Sequence, residues 1–176
     1  MLSKNILEDY LRNKFPRSEL NASFCEFITP HSETIGLGLY PKIDYVKQSE
    51  FALIKAVEIF DKIFDQPDEP IWVLINEWDL YPTDYNIDQF KNLNEENCFS
   101  WNSFDETNEV DRQQVFTIKA RNEINLDNLF QAIINAEFDV NPQISCRMHF
   151  INPIKNIVFT FWNSRIIIES FDKYNV

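Results

Sequence analysis

A chain of 176 residues with 44% hydrophobic content can bury one core without a disulfide or metal staple, which excludes a wholly disordered protein. Its 28 acidic residues outnumber 16 basic ones, and the formal net charge of −12 repels nucleic acid and anionic lipid while attracting cationic partners. Two glycines leave little backbone for wrapping a phosphate, and Cys25, Cys98 and Cys146 are odd in number, widely spaced and without a CxxC pair, unlike a secreted disulfide framework.

Glu8 and Asp9 lie where a signal peptide would be apolar, and no run reaches the length of a membrane span. A reduced, soluble, cytoplasmic protein is expected. Ile6, Leu7, Tyr10 and Leu11 follow Ser3 at helical spacing and precede Pro16, so residues 3–14 are predicted helical. Phe24–Ile28 and Thr34–Tyr40 read as paired strands. In the second, Gly36 and Gly38 alternate with Ile35, Leu37 and Leu39, as in a strand packed closely on a neighbour. Ser49 opens a helix to Phe64, with Phe51, Leu53, Ile54, Val57, Phe60, Ile63 and Phe64 as its apolar stripe.

Turn residues from Asp65 to Pro70 end that helix, and Ile71–Ile75 reads as a buried central strand. Residues 77–111 show little periodicity and read as an acidic, aromatic-rich insertion. Gln114–Ala120 is a strand, and Asn125 caps a helix carrying Leu126, Leu129, Phe130, Ile133 and Ile134. Ile144–Ile151, Ile157–Trp162 and Ile166–Glu169 complete a meander. This order predicts one α+β domain over residues 1–176, a mostly antiparallel sheet with about three helices packed on one face.

No catalytic motif stands out. Gly36-Leu-Gly38 lacks the third glycine and the helix start of a phosphate loop. His31 falls in a predicted turn, and Cys146 and His149, three apart on a strand, face opposite ways, so no local metal site forms. Two carboxylate pairs are spaced for acid–base work: Asp61 with Asp65, and Glu77 with Asp79. Cys25 with His149 is the one nucleophilic pairing available. In so acidic a chain, solvated surface acids are the stronger reading. No catalytic residue, metal or cofactor is expected, and a small enzyme with an unrecognised carboxylate or Cys–His site is the alternative.

One segment stands apart. Between Glu77 and Asp111 ten acids face a single base, Lys91, for a net of −9, three quarters of the whole charge. Large aromatics are interleaved with them. Rings that exclude water and carboxylates that steer and pair with Lys or Arg suit a basic protein partner. Trp78, Asp79, Tyr81, Asp84, Tyr85, Asp88, Glu95, Glu96, Trp101, Asp105 and Glu106 are the predicted partner-binding residues. Neither nucleic acid nor membrane is an expected partner, and the sequence does not fix the oligomeric state.

Leu129–Phe138, Pro142, Met148–Asn152 and Val158–Arg165 carry a resemblance to a bacterial family, domain-of-unknown-function family 3885, over residues 126–168. Its members have a helix ending in Asp-Phe, a strand ending in Phe-Ile/Val-Asn, and a strand leading into Tyr-Asp-Asp-Arg-Gly. The helix from Ser49 to Phe64 fits the family's first half. Here Trp162-Asn163-Ser164-Arg165-Ile166 keeps the arginine and lacks both acids and the glycine. The resemblance implies no established activity, and the missing acids turn the expectation from chemistry to binding. The family is similar to the small acidic immunity proteins encoded beside bacterial polymorphic toxins. That likeness implies an inhibitor that covers the active site of a basic toxin domain, such as a nuclease.

Overall fold

The computed structural model describes residues 9–10, 12–14, 19–20, 25–26, 29–39, 44–76, 98–105, 110–144, 147–162, 164–170 and 172–173. The long amphipathic helix α1 runs Tyr45–Ile63, starting four residues before the predicted Ser49. Asp44 is the true cap, its carboxylate accepting from the Val46 amide at 3.2 Å. Ser49 lies within the helix, where its hydroxyl donates back to the Val46 carbonyl. The buried stripe is Ala52, Ala56, Ile59, Phe60 and Ile63, whereas Phe51 and Ile54 of the predicted stripe are exposed. Helix α2, Leu126–Ala136, starts at the predicted cap: Asn125 Oδ1 accepts from the Asn128 amide at 3.2 Å.

Seven strands form one antiparallel sheet. They are β3 (His31–Gly36), β4 (Pro70–Asn76), β5 (Cys98–Asp105), β6 (Val110–Ala120), β7 (Arg147–Asn152), β8 (Ile157–Trp162) and β9 (Arg165–Ser170), in the order β3-β9-β8-β7-β4-β6-β5. A separate small ladder joins β1 (Glu19–Leu20) to β2 (Cys25–Glu26).

Among the described residues, the predicted pairing between residues 24–28 and 34–40 is therefore not formed. β2 pairs with β1, and β3 pairs with β9, where Thr34 and Ile35 meet Ile167 and Ile166. His31 opens β3 and is not in a turn. A methyl group added to Gly36 or Gly38 would meet nothing within 4 Å, so close packing is not what those glycines serve; Gly38 instead adopts a positive φ of +70°. Residues 98–105 and 110–111, predicted as part of the insertion, belong to the β5–β6 hairpin. The central strand β4 and the C-terminal meander form as predicted, except that β7 opens at Arg147 and not at Ile144.

Alternation gives the sheet two buried faces. On the first, Ile75, Met148, Phe161 and Ile166 form one cross-strand row, and Val73, Phe150, Phe159 and Ile168 the next. Both helices close over these rows. The Phe60 ring stacks on Phe64 at 4.3 Å and meets Phe150 and Phe159 edge-on at 5.2 Å and Phe130 at 5.6 Å. Beside this core, Asn135 accepts from the Tyr45 hydroxyl and from Gln131 while donating to the Pro142 carbonyl, which locks α2 to the start of α1.

Trp72, Leu74, Phe116, His149, Ile151, Val158 and Thr160 occupy the second face, most of them fully buried. The helical residues 9–10 and 12–14 belong on this side. Tyr10 packs edge-on against Trp72 at 4.8 Å, and its hydroxyl donates to Asn156. Helices thus cover both faces, because alternation along β4 leaves Trp72 and Leu74 needing cover of their own.

Replacing Phe60 by alanine should cost about 3–5 kcal/mol, the usual result of emptying a tightly packed aromatic site. Phe51→Ala, on the exposed side of the same helix, should stay within about 0.5 kcal/mol of wild type. Urea unfolding of the two variants checks the contrast.

Candidate functional site

β4 ends at Asn76, between Arg147 of β7 and Gln114 of β6, so the acidic segment leaves from the middle of the sheet. It returns as β5, at the sheet's edge. Of the predicted partner-binding residues, Trp101 and Asp105 lie on β5, in register with Gln114 and Val110. Trp78, Asp79, Tyr81, Asp84, Tyr85, Asp88, Glu95, Glu96 and Glu106 lie outside the described residues, as does Glu77.

The register at this end of the sheet sets Arg165, Trp162 and Arg147 side by side on the second face. The Arg147 guanidinium sits over the Trp162 indole, 4.1 Å from its centroid. Such a cation–π contact contributes about 0.5–1 kcal/mol when exposed and more when dry. One row inward, His149 Nδ1 and Thr160 Oγ1 are 2.8 Å apart, and the histidine is 2% exposed. Burial first, and the neighbouring Arg147 charge second, push the imidazole down to about 3. His149 is a neutral, buried ring bonded across the sheet.

At the nearby end of α2, burial raises the Glu137 carboxyl, while a Ser164 hydrogen bond and the Arg165 charge pull it back. The Leu37 amide donates to the Ser164 carbonyl at 3.0 Å. The helix end at Glu137-Phe138 and the hairpin at Ser164-Arg165, far apart in sequence, are therefore neighbours.

The other candidates separate. Asp61 binds Arg121 at 2.7 Å and Asp65 binds Lys155 at 2.8 Å, each carboxylate turned to its own cation. Lys155 holds Asp65 below the usual carboxylate range. Lys155 also donates to the Ile63 carbonyl, so this acid fastens the end of α1 to the β7–β8 turn and is not half of an acid–base pair. Cys25 lies in β2, a strand of the small ladder that is separate from the sheet carrying His149. Among the described residues no group of three or more His, Cys, Asp or Glu could hold a metal ion, and no helix is long and apolar enough to cross a membrane. Arg147 and Thr160 were not singled out from the sequence. Their partners lie on the next strand, and only the register reveals them.

Because His149 is depressed when folded, the unfolded chain takes up its proton first. Stability should be intact above about pH 6.5 and fall as pH drops towards about 3, with a slope of up to about 1.4 kcal/mol per unit from this group. The imidazole NMR signal of the folded protein should not titrate between about pH 8 and 5, and His149→Phe should flatten this part of the pH–stability curve.

Comparison with curated proteins and with solved structures gives no match. A family model does match, over residues 7–165, which extends the resemblance seen in the C-terminal third to nearly the whole chain. The chain belongs to the family described as Domain of unknown function (DUF3885).

Proposed function

We propose that this protein is an acidic inhibitor, an immunity protein that neutralises a basic bacterial toxin domain by covering its active site. The observation that carries the reading is the placement of charge. Residues 77–111 hold −9 of the net −12, in a stretch that leaves the sheet centre at Asn76 and comes back as β5.

Several acids elsewhere are engaged by the scaffold: Asp61 and Asp65 are in ion pairs, Asp44 caps α1, and Glu123 accepts from the Ala120 amide. Outside residues 77–111 the chain carries a net charge of only −3. The field of that segment steers a cationic partner and imitates the phosphates that a nuclease site is built to hold. Trp78, Tyr81, Tyr85 and Trp101 supply the anchoring rings.

Calorimetric titration against the product of the neighbouring gene tests the reading. Reversing Asp84, Asp88, Glu95 and Glu96 to lysine should weaken binding by about 100-fold or more, and raising salt from about 50 to about 300 mM should weaken the wild-type complex. Affinity that ignores both changes would sink the proposal.

A further inference from the structure

The outward side of α1 breaks the usual rule for a surface helix, which keeps charge and polarity towards water. Phe51 is 64% exposed and Ile54 52% exposed. They are the middle of one stripe, Lys47, Phe51, Ile54 and Glu58, and all four of its members are exposed. Val46, also exposed, lies off this stripe. Steps of four, three and four residues are those of the contact positions in a coiled coil, so the four side chains make a seam roughly 16 Å long. An apolar pair sits at its centre, a cation at one end and an anion at the other.

The order of charges selects what covers this seam. Within α1, Lys47, Lys55 and Lys62 balance Glu50, Glu58 and Asp61, so the helix is neutral in a chain of net −12. A strongly basic or strongly acidic partner gains nothing from it. A second α1 does. Two copies laid antiparallel about a two-fold axis midway between Phe51 and Ile54 set each Phe51 against the other copy's Ile54. The same axis sets each Lys47 against the other copy's Glu58, because these two lie equally far on either side of it. A parallel pair would oppose lysine to lysine and glutamate to glutamate. The seam complements itself in one orientation and repels itself in the other.

We propose that α1 is a self-association surface, through which two copies of the chain pair antiparallel, with Phe51 and Ile54 at the centre and a Lys47–Glu58 ion pair at each end. This is independent of the inhibitor reading and makes no use of the acidic segment. The contact is small, below the roughly 1,200 Å² at which standard interfaces begin, so a reversible dimer with a dissociation constant on the order of 100 µM is expected.

Sedimentation velocity of the full chain tests it, from about 10 µM to about 1 mM in about 0.3 M salt, which screens repulsion between whole chains more than it weakens close pairs. The average mass of the wild type should rise towards that of two chains. Phe51→Asp should weaken association by about tenfold or more, whereas Ile154→Asp, at an exposed apolar residue of the β7–β8 turn, should leave it unchanged. Lys47→Glu and Glu58→Lys should each weaken it by about fivefold or more, and the two changes in one chain should restore it, because exchanging both charges preserves each pair across the axis. These residues are about three turns apart on their helix, so the recovery cannot arise within one chain.

A wild type that stays monomeric over the whole range would overturn the proposal; that is the outcome if another part of the chain or an unlike partner covers the seam. Association that survives Phe51→Asp would also overturn it, since another surface would then hold the copies together. Failure of the double variant to recover, with its circular dichroism spectrum unchanged from wild type, would overturn the antiparallel pairing.

Discussion

The Phe60 ring joins both helices to the centre of the sheet. It touches Phe64 on its own helix, Phe130 on α2, and Phe150 and Phe159 on neighbouring central strands. Each such aromatic pair adds about 0.5–1.5 kcal/mol beyond the area it buries. The ring lies one turn from the end of α1, so that end must be fixed in place. Asn152 does this. Its amide donates to the Ile63 carbonyl while its oxygen accepts the Ile154 and Lys155 amides, and Lys155 adds a second donor to the same carbonyl. The first face of the sheet depends on this cluster and its fastening.

The second face follows another rule. Its middle is buried and carries a histidine kept uncharged, while the row beyond ends in Arg147, Trp162 and Arg165. Polarity rises towards the end of the sheet where β4 gives way to the acidic segment. A long acidic stretch repels itself and would destabilise the sheet that carries it. The strand it leaves is flanked on both sides by β6 and β7 and has an almost wholly apolar interior.

What the sequence reveals follows from how local each signal is. Helix α2 announces itself through Asn125 and a clean stripe, and the β7–β9 meander through short turns, because cap, stripe and hairpin partners lie close along the chain. Asp44 is hidden as the cap because Ser49 also looks like one, and a serine inside a helix can satisfy itself on the preceding turn. Pairing residues 24–28 with 34–40 assumed that neighbouring strands pair; the isoleucines of β9 attract β3 instead. Cys98–Asp105 reads as irregular because an edge strand mixes polar and aromatic residues without an even apolar face. Charge segregation is visible from counting alone. The Arg147–Trp162 contact and the His149–Thr160 bond are not, since both exist only once the register is set.

Among the described residues, the first strand of the large sheet, β3, pairs with β9 alone: His31 meets Ser170, and Gly36 meets Arg165. β4 likewise waits for β7 before its second edge is filled. Such long-range closure is slow, because loop entropy is lost before the contact is made. As the chain emerges from the ribosome, the β3–β9 ladder must wait until β9 is synthesised. A copy cut short before β9 leaves β3 without that partner and the meander ending at β8.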